Sequence, residues 1–353
     1  AFFGSLGKVL GKLGPAENIA ILKAGTDLYA SFGYTTAQEG RGSPSGIATM
    51  VAAGKKGDLK IDIVVYSDII GAADTIKAPL FSRTYTNHLR IGGAKLNLDG
   101  SPQGKTAWLT KPYFKVPPGQ KDDYLGYPSM TDEQANAYVD KAFANGWQIL
   151  AHVSGDAAIQ QFINAVRAAE KKYGMADRRP VAVHAHIARA DQVDAFKELG
   201  ILPSFFPMHT FYWGDYHRDS VFGSERGSNL APTGWAMERG MVFTSHHDSP
   251  VAKPDSMRVL DATVNRVTRS GQDIPVPADL ETNIGELVNI VRHVADVAAA
   301  RRALAPLGVT LIGTGLDTGG GRDRVLDGPR YRAMEEYFDT HWPAGRTMMR
   351  HTA

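Results

Sequence analysis

Seven short apolar runs, each closing on polar or ionisable residues, set the pattern of this chain: Gly33–Gln38, Ile61–Tyr66, Gly92–Leu98, Trp147–Val153, Val181–Ile187, Ile201–Phe206 and Met241–Ser245. Between them lie stretches with helical spacing, among them Asp132–Asn145, Asp156–Tyr173, Asp191–Leu199 and Thr233–Arg239. In the second of these, Ala158, Phe162, Ala165, Val166 and Ala169 fall at spacings of three and four and form one stripe. Strand and helix in alternation imply parallel strands, since a parallel pair needs a crossover that is usually a helix. Several strand-to-strand spacings approach the roughly 30 residues of a βαβ unit. The rhythm predicts an α/β fold, an incomplete (β/α)8 TIM-like barrel lacking one strand. Two long segments, Ser101–Met130 and Phe206–Pro232, read as loops over one end, the usual place for specificity.

Composition narrows the function. The 353 residues carry 39 Lys and Arg against 37 Asp and Glu, so nothing suggests a nucleic-acid partner. No apolar run reaches the roughly 18 residues of a membrane span, and no signal-peptide pattern is visible, so a cytoplasmic protein without a membrane partner is expected. Cysteine is absent, which excludes disulfides, thiol nucleophiles and Cys-held zinc or iron–sulfur clusters. A metal must then be held by the 11 His, by carboxylates or by a modified Lys.

In a parallel barrel the chemistry gathers at the C-terminal ends of the strands. Read in order, those ends hold Lys95 in GGAKLNLDG, His152 in WQILAHVSGD, His184 in VAVHAHIA and Asp248 in MVFTSHHDSP. Any one of them alone reads as a hydrogen-bonded core residue. Four in phase favour a shared site, because burying them unpaired is costly and mutual ligation removes the cost. Strand alternation puts His186 on the face of His184, and His246 on the face of Asp248, as substrate-side groups. His209, Tyr212 and Trp213 in MHTFYWGDYHRD are further pocket candidates, with their aromatic character suited to an apolar or planar substrate group. Asp156 reads as a helix N-cap. Lys105 and Thr106 mimic the end of a phosphate loop without its first Gly.

The blocks AKLNLDGSPQGKTAWLTKPY, LAHVSGDAAIQQFINAV, LGILPSFFPMHTFYWGDYHRDSVFG and FTSHHDSPVAKPDSMRVL resemble the amidohydrolase superfamily, in its family-3 branch. The resemblance spans roughly residues 20–270, and DGSPQGKTA, HxxGDAAI and HHDSPV are its specific parts. It implies a distorted barrel with one or two divalent ions, zinc foremost. Carried onto this chain, it makes Lys95 a carbamylated bridging ligand, His152 and His184 imidazole ligands, and Asp248 both ligand and proton carrier. The implied reaction is hydrolysis of a non-peptide carbon–nitrogen bond in a small amide-type molecule by metal-activated water. A homo-oligomer is compatible with this.

Two departures stand out. No His precedes His88, so the HxH of the family's first strand is absent and that strand with it. The texture also changes at 271–280, which reads as a linker between a barrel (1–270) and an appendage (281–353). That appendage, with RVLDGPRYRAMEEYF and WPAGRTMM, resembles a fragment of bacterial glutamate–cysteine ligase. Two alternatives therefore stand beside the hydrolase: a ligase-related protein, and a non-catalytic barrel remnant.

Overall fold

The computed structural model of the chain describes residues 13–272 and 274. The expected linker at 271–280, apart from 271, 272 and 274, and the appendage at 281–353 lie outside these residues. Seven strands stand side by side in chain order, each parallel to its neighbours: β1 (Thr36–Gly42), β2 (Asp62–Asp68), β3 (Leu89–Asn97), β4 (Gln148–Val153), β5 (Val181–His184), β6 (Leu202–Phe205) and β7 (Thr244–Ser245). Among the described residues β1 and β7 each pair on one side only, so the sheet is an incomplete barrel. All seven expected strands are present. Their ends differ: β5 stops at His184 instead of Ile187, and β7 is two residues long.

The helices are α1 (Pro15–Ser31), α2 (Pro44–Lys55), α3 (Asp132–Ala144), α4 (Asp156–Tyr173), α5 (Ala190–Glu198), α6 (Met208–Tyr216), α7 (Gly223–Gly227), α8 (Thr233–Glu238) and α9 (Ser256–Asn265). Their starts follow local chemistry. Ser43 caps α2 by accepting the Gly46 N–H, with Pro44 at the first turn, and Thr131 with Gln134 forms a capping box on α3. The segment Phe206–Pro232, expected as a loop, is instead helical: α6 runs into a π-helical turn at His217–Phe222 and then into α7. Ser101–Met130 contains no helix or strand, as expected.

The main core lies between the sheet and its helices. The expected stripe of α4 is buried there, with Phe162 and Val166 fully enclosed against Ile149, Ala151 and Val153 of β4. The opposite face of the sheet carries a smaller apolar layer of Val64, Tyr66 and Leu150, with Val181 and Val183 packed on it. His152 follows Leu150 by two residues and so shares this inner face. Lys95 reaches the same face by another route. Ile91 faces the helices, and strict alternation would send Lys95 there too. The β2–β3 register slips between Val65 and Tyr66, at Gly92–Gly93, and beyond it Ala94 and Leu96 face the helices, leaving Lys95 inward. Two glycines permit the slip: a Cβ on Gly92 would meet the Tyr66 ring at 2.9 Å, and one on Gly93 the Gln148 carbonyl oxygen at 2.0 Å.

Candidate metal centre

Hydrogen-bond roles at the strand ends follow from one fixed acceptor. His152 Nε2 lies 2.8 Å from the Gly100 carbonyl oxygen, which can only accept, so Nε2 carries the proton and Nδ1 keeps a bare lone pair. His184 Nε2 stands 3.1 Å from that lone pair, and His184 Nδ1 stands 3.0 Å from His246 Nε2. His246 Nδ1 in turn meets Ser204 Oγ at 3.0 Å, and Ser204 Oγ accepts from Thr244 Oγ1 at 2.8 Å. In the chain by itself a single direction of protons, from Thr244 to His152, satisfies this row. Nitrogen ligands are usually held in this way, one ring nitrogen fixed by the protein and the other left for the ion.

His184 enters this row because its strand breaks. By alternation it belongs with Ala182, on the face covered by helices. Positive φ angles at His184 (73°) and Ala185 (43°) end the strand and turn the ring toward His152 and His246 instead. Asp248, also at positive φ, completes a group in which one ligand atom each from His184, His246 and Asp248 lie within 4.8 Å of one another. Lys95 is close enough to Asp248 for each to shift the other's protonation.

Burial dominates the electrostatics. It brings Lys95 down to about 8, against the pull of Asp248, and pushes the Asp248 carboxyl up, against the pull of Lys95. Burial, reinforced by the neighbouring Lys95, lowers His152 to about 4 and His246 to about 3, and His184 lies well below the ordinary imidazole value. At neutral pH the rings are thus uncharged donors. Three neutral imidazoles, a carboxylate and a lysine that can be modified form a donor set whose chemistry suits a divalent metal, which would displace the protons shared between the rings, and His184, His246 and Asp248 already lie within reach of one ion.

One contributor was not a candidate from sequence. Asp99 is buried, and its two oxygens accept the N–H groups of Ser154 (3.0 Å), Trp108 (3.0 Å) and Gly155 (2.7 Å). Burial raises it to about 7 while those three N–H groups pull it down. It ties the loop after β3 to the loop that follows His152 and the end of β4, with Oδ1 3.5 Å from His152 Nε2. Its signal was a lone acid directly after the apolar Leu96–Leu98 run. His247, next to His246, points away from this row: it packs its ring on Tyr29 and Tyr34 and accepts the Ser249 N–H.

The other sequence candidates fall elsewhere. His186 does not share the face of His184, because β5 has already ended; it is fully buried against His209 and His217. Tyr212 and Trp213 are half-buried and pack on the Phe206, Met208 and Val259 cluster, with the Trp213 ring 5.4 Å from that of His209. Asp156 is not the N-cap of α4. That position is Gly155, while the Asp156 carboxylate accepts from Thr110 N and Oγ1 and pairs with Arg189 at 3.0 Å. Lys105 bridges Lys115 O and Ser220 Oγ, a structural tie.

A family model described as "Amidohydrolase family" matches residues 2–301, running through 271–280. A curated relative, the putative amidohydrolase YtcJ of Bacillus subtilis (strain 168), is 22% identical over 227 residues, covering 64% of this chain and 40% of the relative. Crystal structures of uncharacterized metal-dependent hydrolases from Pyrococcus horikoshii OT3 and Pyrococcus furiosus share the fold, with TM-scores of 0.64 and 0.62 and 22% identity. They are covered to 58% each by 84% and 85% of this chain. The chain thus spans about two-fifths of the curated relative. Among the described residues no helix is long and apolar enough to cross a membrane. With the match extending over most of its length, the chain belongs to the amidohydrolase family.

Proposed function

We propose that this chain carries the metal centre of a hydrolase acting on non-peptide carbon–nitrogen bonds of a small amide-type molecule. The observation that supports it is the convergence of His152, His184, His246 and Asp248 at one end of the parallel sheet, beside the buried Lys95. His152 and His184 would hold the ion, zinc in this reading: His152 through the Nδ1 lone pair left by its bond to the Gly100 carbonyl, and His184 through Nε2, from which the ion would displace the proton. Lys95, brought by burial to about 8, is about one-tenth neutral at pH 7, far more than an exposed lysine. A neutral amine is the form that takes up carbon dioxide, forming the N–C bond and giving up one N–H proton to solvent, and the resulting carbamate would supply anionic oxygen ligands. A bound divalent ion polarises the substrate carbonyl and lowers the pKa of its water. Asp248, with its affinity for a proton raised by burial, accepts one from the nucleophile and returns it to the leaving nitrogen. His246 adds a third imidazole in a chain whose sequence has no HxH ahead of His88.

Metal analysis of the purified chain, before and after zinc and bicarbonate, tests this. The expected result is one ion that depends on His152. His152→Ala should remove it and lower hydrolysis of N-acyl amine, formamide and cyclic imide substrates by 100-fold or more. A folded wild-type chain that binds no ion dependent on His152 would refute the reading.

A further inference from the structure

A second group of imidazoles lies outside this centre. His186 follows the break at the end of β5, His209 stands in the first turn of α6, and His217 opens the π-helical turn that continues it. All three are buried, with exposures of 0%, 4% and 0%. His209 Nδ1 is 3.1 Å from His186 Nδ1, and His186 Nε2 is 3.3 Å from His217 Nδ1. One nitrogen from each ring can be chosen so that all three lie within 4.8 Å. The shell around them is aromatic: Phe206 and Trp213 on His209, and Phe222 on both His186 and His217.

As a purely hydrogen-bonded row the trio is incomplete. His209 Nε2 meets only Gln103 Nε2, at 3.4 Å, and His217 Nε2 is buried with no partner. Whichever way the protons run, the His217 end faces nothing the chain supplies, and a buried, unmatched ring nitrogen costs about 1–3 kcal/mol. No arrangement of protons pairs all six nitrogens. We propose that His186, His209 and His217 form a second metal site, for a borderline divalent ion such as zinc or cobalt, distinct from the centre at His152 and His184. His186 gives an ion one nitrogen, so one of the two short pairs, 3.1 Å to His209 or 3.3 Å to His217, sets a ligand spacing that matches two imidazoles on a tetrahedral ion with bonds of about 2.0–2.1 Å, and the third ring stands within 4.8 Å. Burial keeps the rings neutral, which suits ligands. No carboxylate is in the trio, so hard ions such as magnesium and calcium are disfavoured. Arg266 lies close enough to His186 to disfavour its protonation, which also keeps that ring a neutral donor. A π-helical turn is a common device for placing a functional side chain, and here it places His217.

The test is a cobalt titration of the chelator-treated full chain, counting bound metal and recording d–d absorption, alongside His217→Gln and His152→Ala. Wild type should hold one equivalent more than folded His217→Gln, and His152→Ala should retain that equivalent. Equal stoichiometry in wild type and folded His217→Gln overturns the site. Should His217→Gln not fold, His152→Ala/Asp248→Ala decides: a remaining equivalent supports the trio, and none overturns it. A His217-dependent ion without a His152-dependent one supports the trio while counting against the hydrolase centre.

Discussion

Asp99 shows how much of the site rests on a side chain that touches no reacting group. Its Oδ1 takes one backbone N–H and its Oδ2 takes two. An amide in its place can put its oxygen where Oδ2 stands, but its NH2 then faces the Ser154 N–H, donor against donor. Asp99→Asn should therefore lower stability by about 1–3 kcal/mol, read as a shifted urea midpoint at unchanged slope. It should also weaken metal binding by loosening the loop after β4; an unchanged midpoint would show that the three N–H groups find other partners. At this scale the sequence singled out Lys95, His152, His184 and Asp248 as candidates, because an ionisable residue closing an apolar run is conspicuous. It did not disclose Asp99, since an acid after a strand looks like ordinary loop polarity until its three donors are known.

Strands were the most legible elements, and the reason is contrast: Val, Ile and Ala runs end sharply on polar residues, as at Trp147–Val153. The helical stretch Met208–Phe222 reads as loop in the sequence because its aromatics, Gly and His show no apolar stripe of period 3.6. Side-chain direction was the least legible property. Lys95 and His184 both sit on the wrong face by simple alternation, and both are corrected by local irregularities, the slip at Gly92–Gly93 and the positive φ pair at His184–Ala185. The slip yields a sharp expectation. Gly93→Ala places a methyl 2.0 Å from the Gln148 carbonyl oxygen, a backbone atom of the adjacent strand that cannot step aside. It should destabilise by about 3 kcal/mol and abolish the His152-dependent ion by turning Lys95 out of phase. Gly25→Ala in α1 meets nothing within 4 Å and should instead stabilise by about 0.4–1 kcal/mol. Comparing the two in urea melts separates the steric effect from any general effect of losing a glycine.

Among the described residues, His152, His184, His186, His209, His217 and His246 form one assembly linking the ends of β4, β5 and β7 with α6, and the His184 and His209 rings stack 6.4 Å apart where the two groups meet. This assembly sets the acid stability of the metal-free chain. Burial holds His152 and His247 near 4, His217 and His246 near 3, and His184, His186 and His209 well below the ordinary value of 6.5. An unfolded chain takes up these protons at about pH 6.5, so it binds more protons than the folded chain throughout the interval below that. Stability must then fall as pH drops from about 6.5 toward 4. Asp99 and Asp248, both raised, act in the opposite sense, but seven imidazoles outweigh two carboxyls. Each net proton contributes about 1.4 kcal/mol per pH unit, so three already give about 4, against a typical total of about 5–15 kcal/mol. Chelator-treated protein should accordingly lose about 6 kcal/mol by pH 5 on three net protons, with a urea midpoint that declines steadily between pH 7 and 5.5. Replacing His247 with Phe, which preserves a ring against Tyr29 and Tyr34, should make that decline shallower, because one titrating group has been removed while its aromatic packing is kept. A midpoint that stays level over the interval would mean that the rings share their protons in the folded state, and the neutral assembly described here would be wrong.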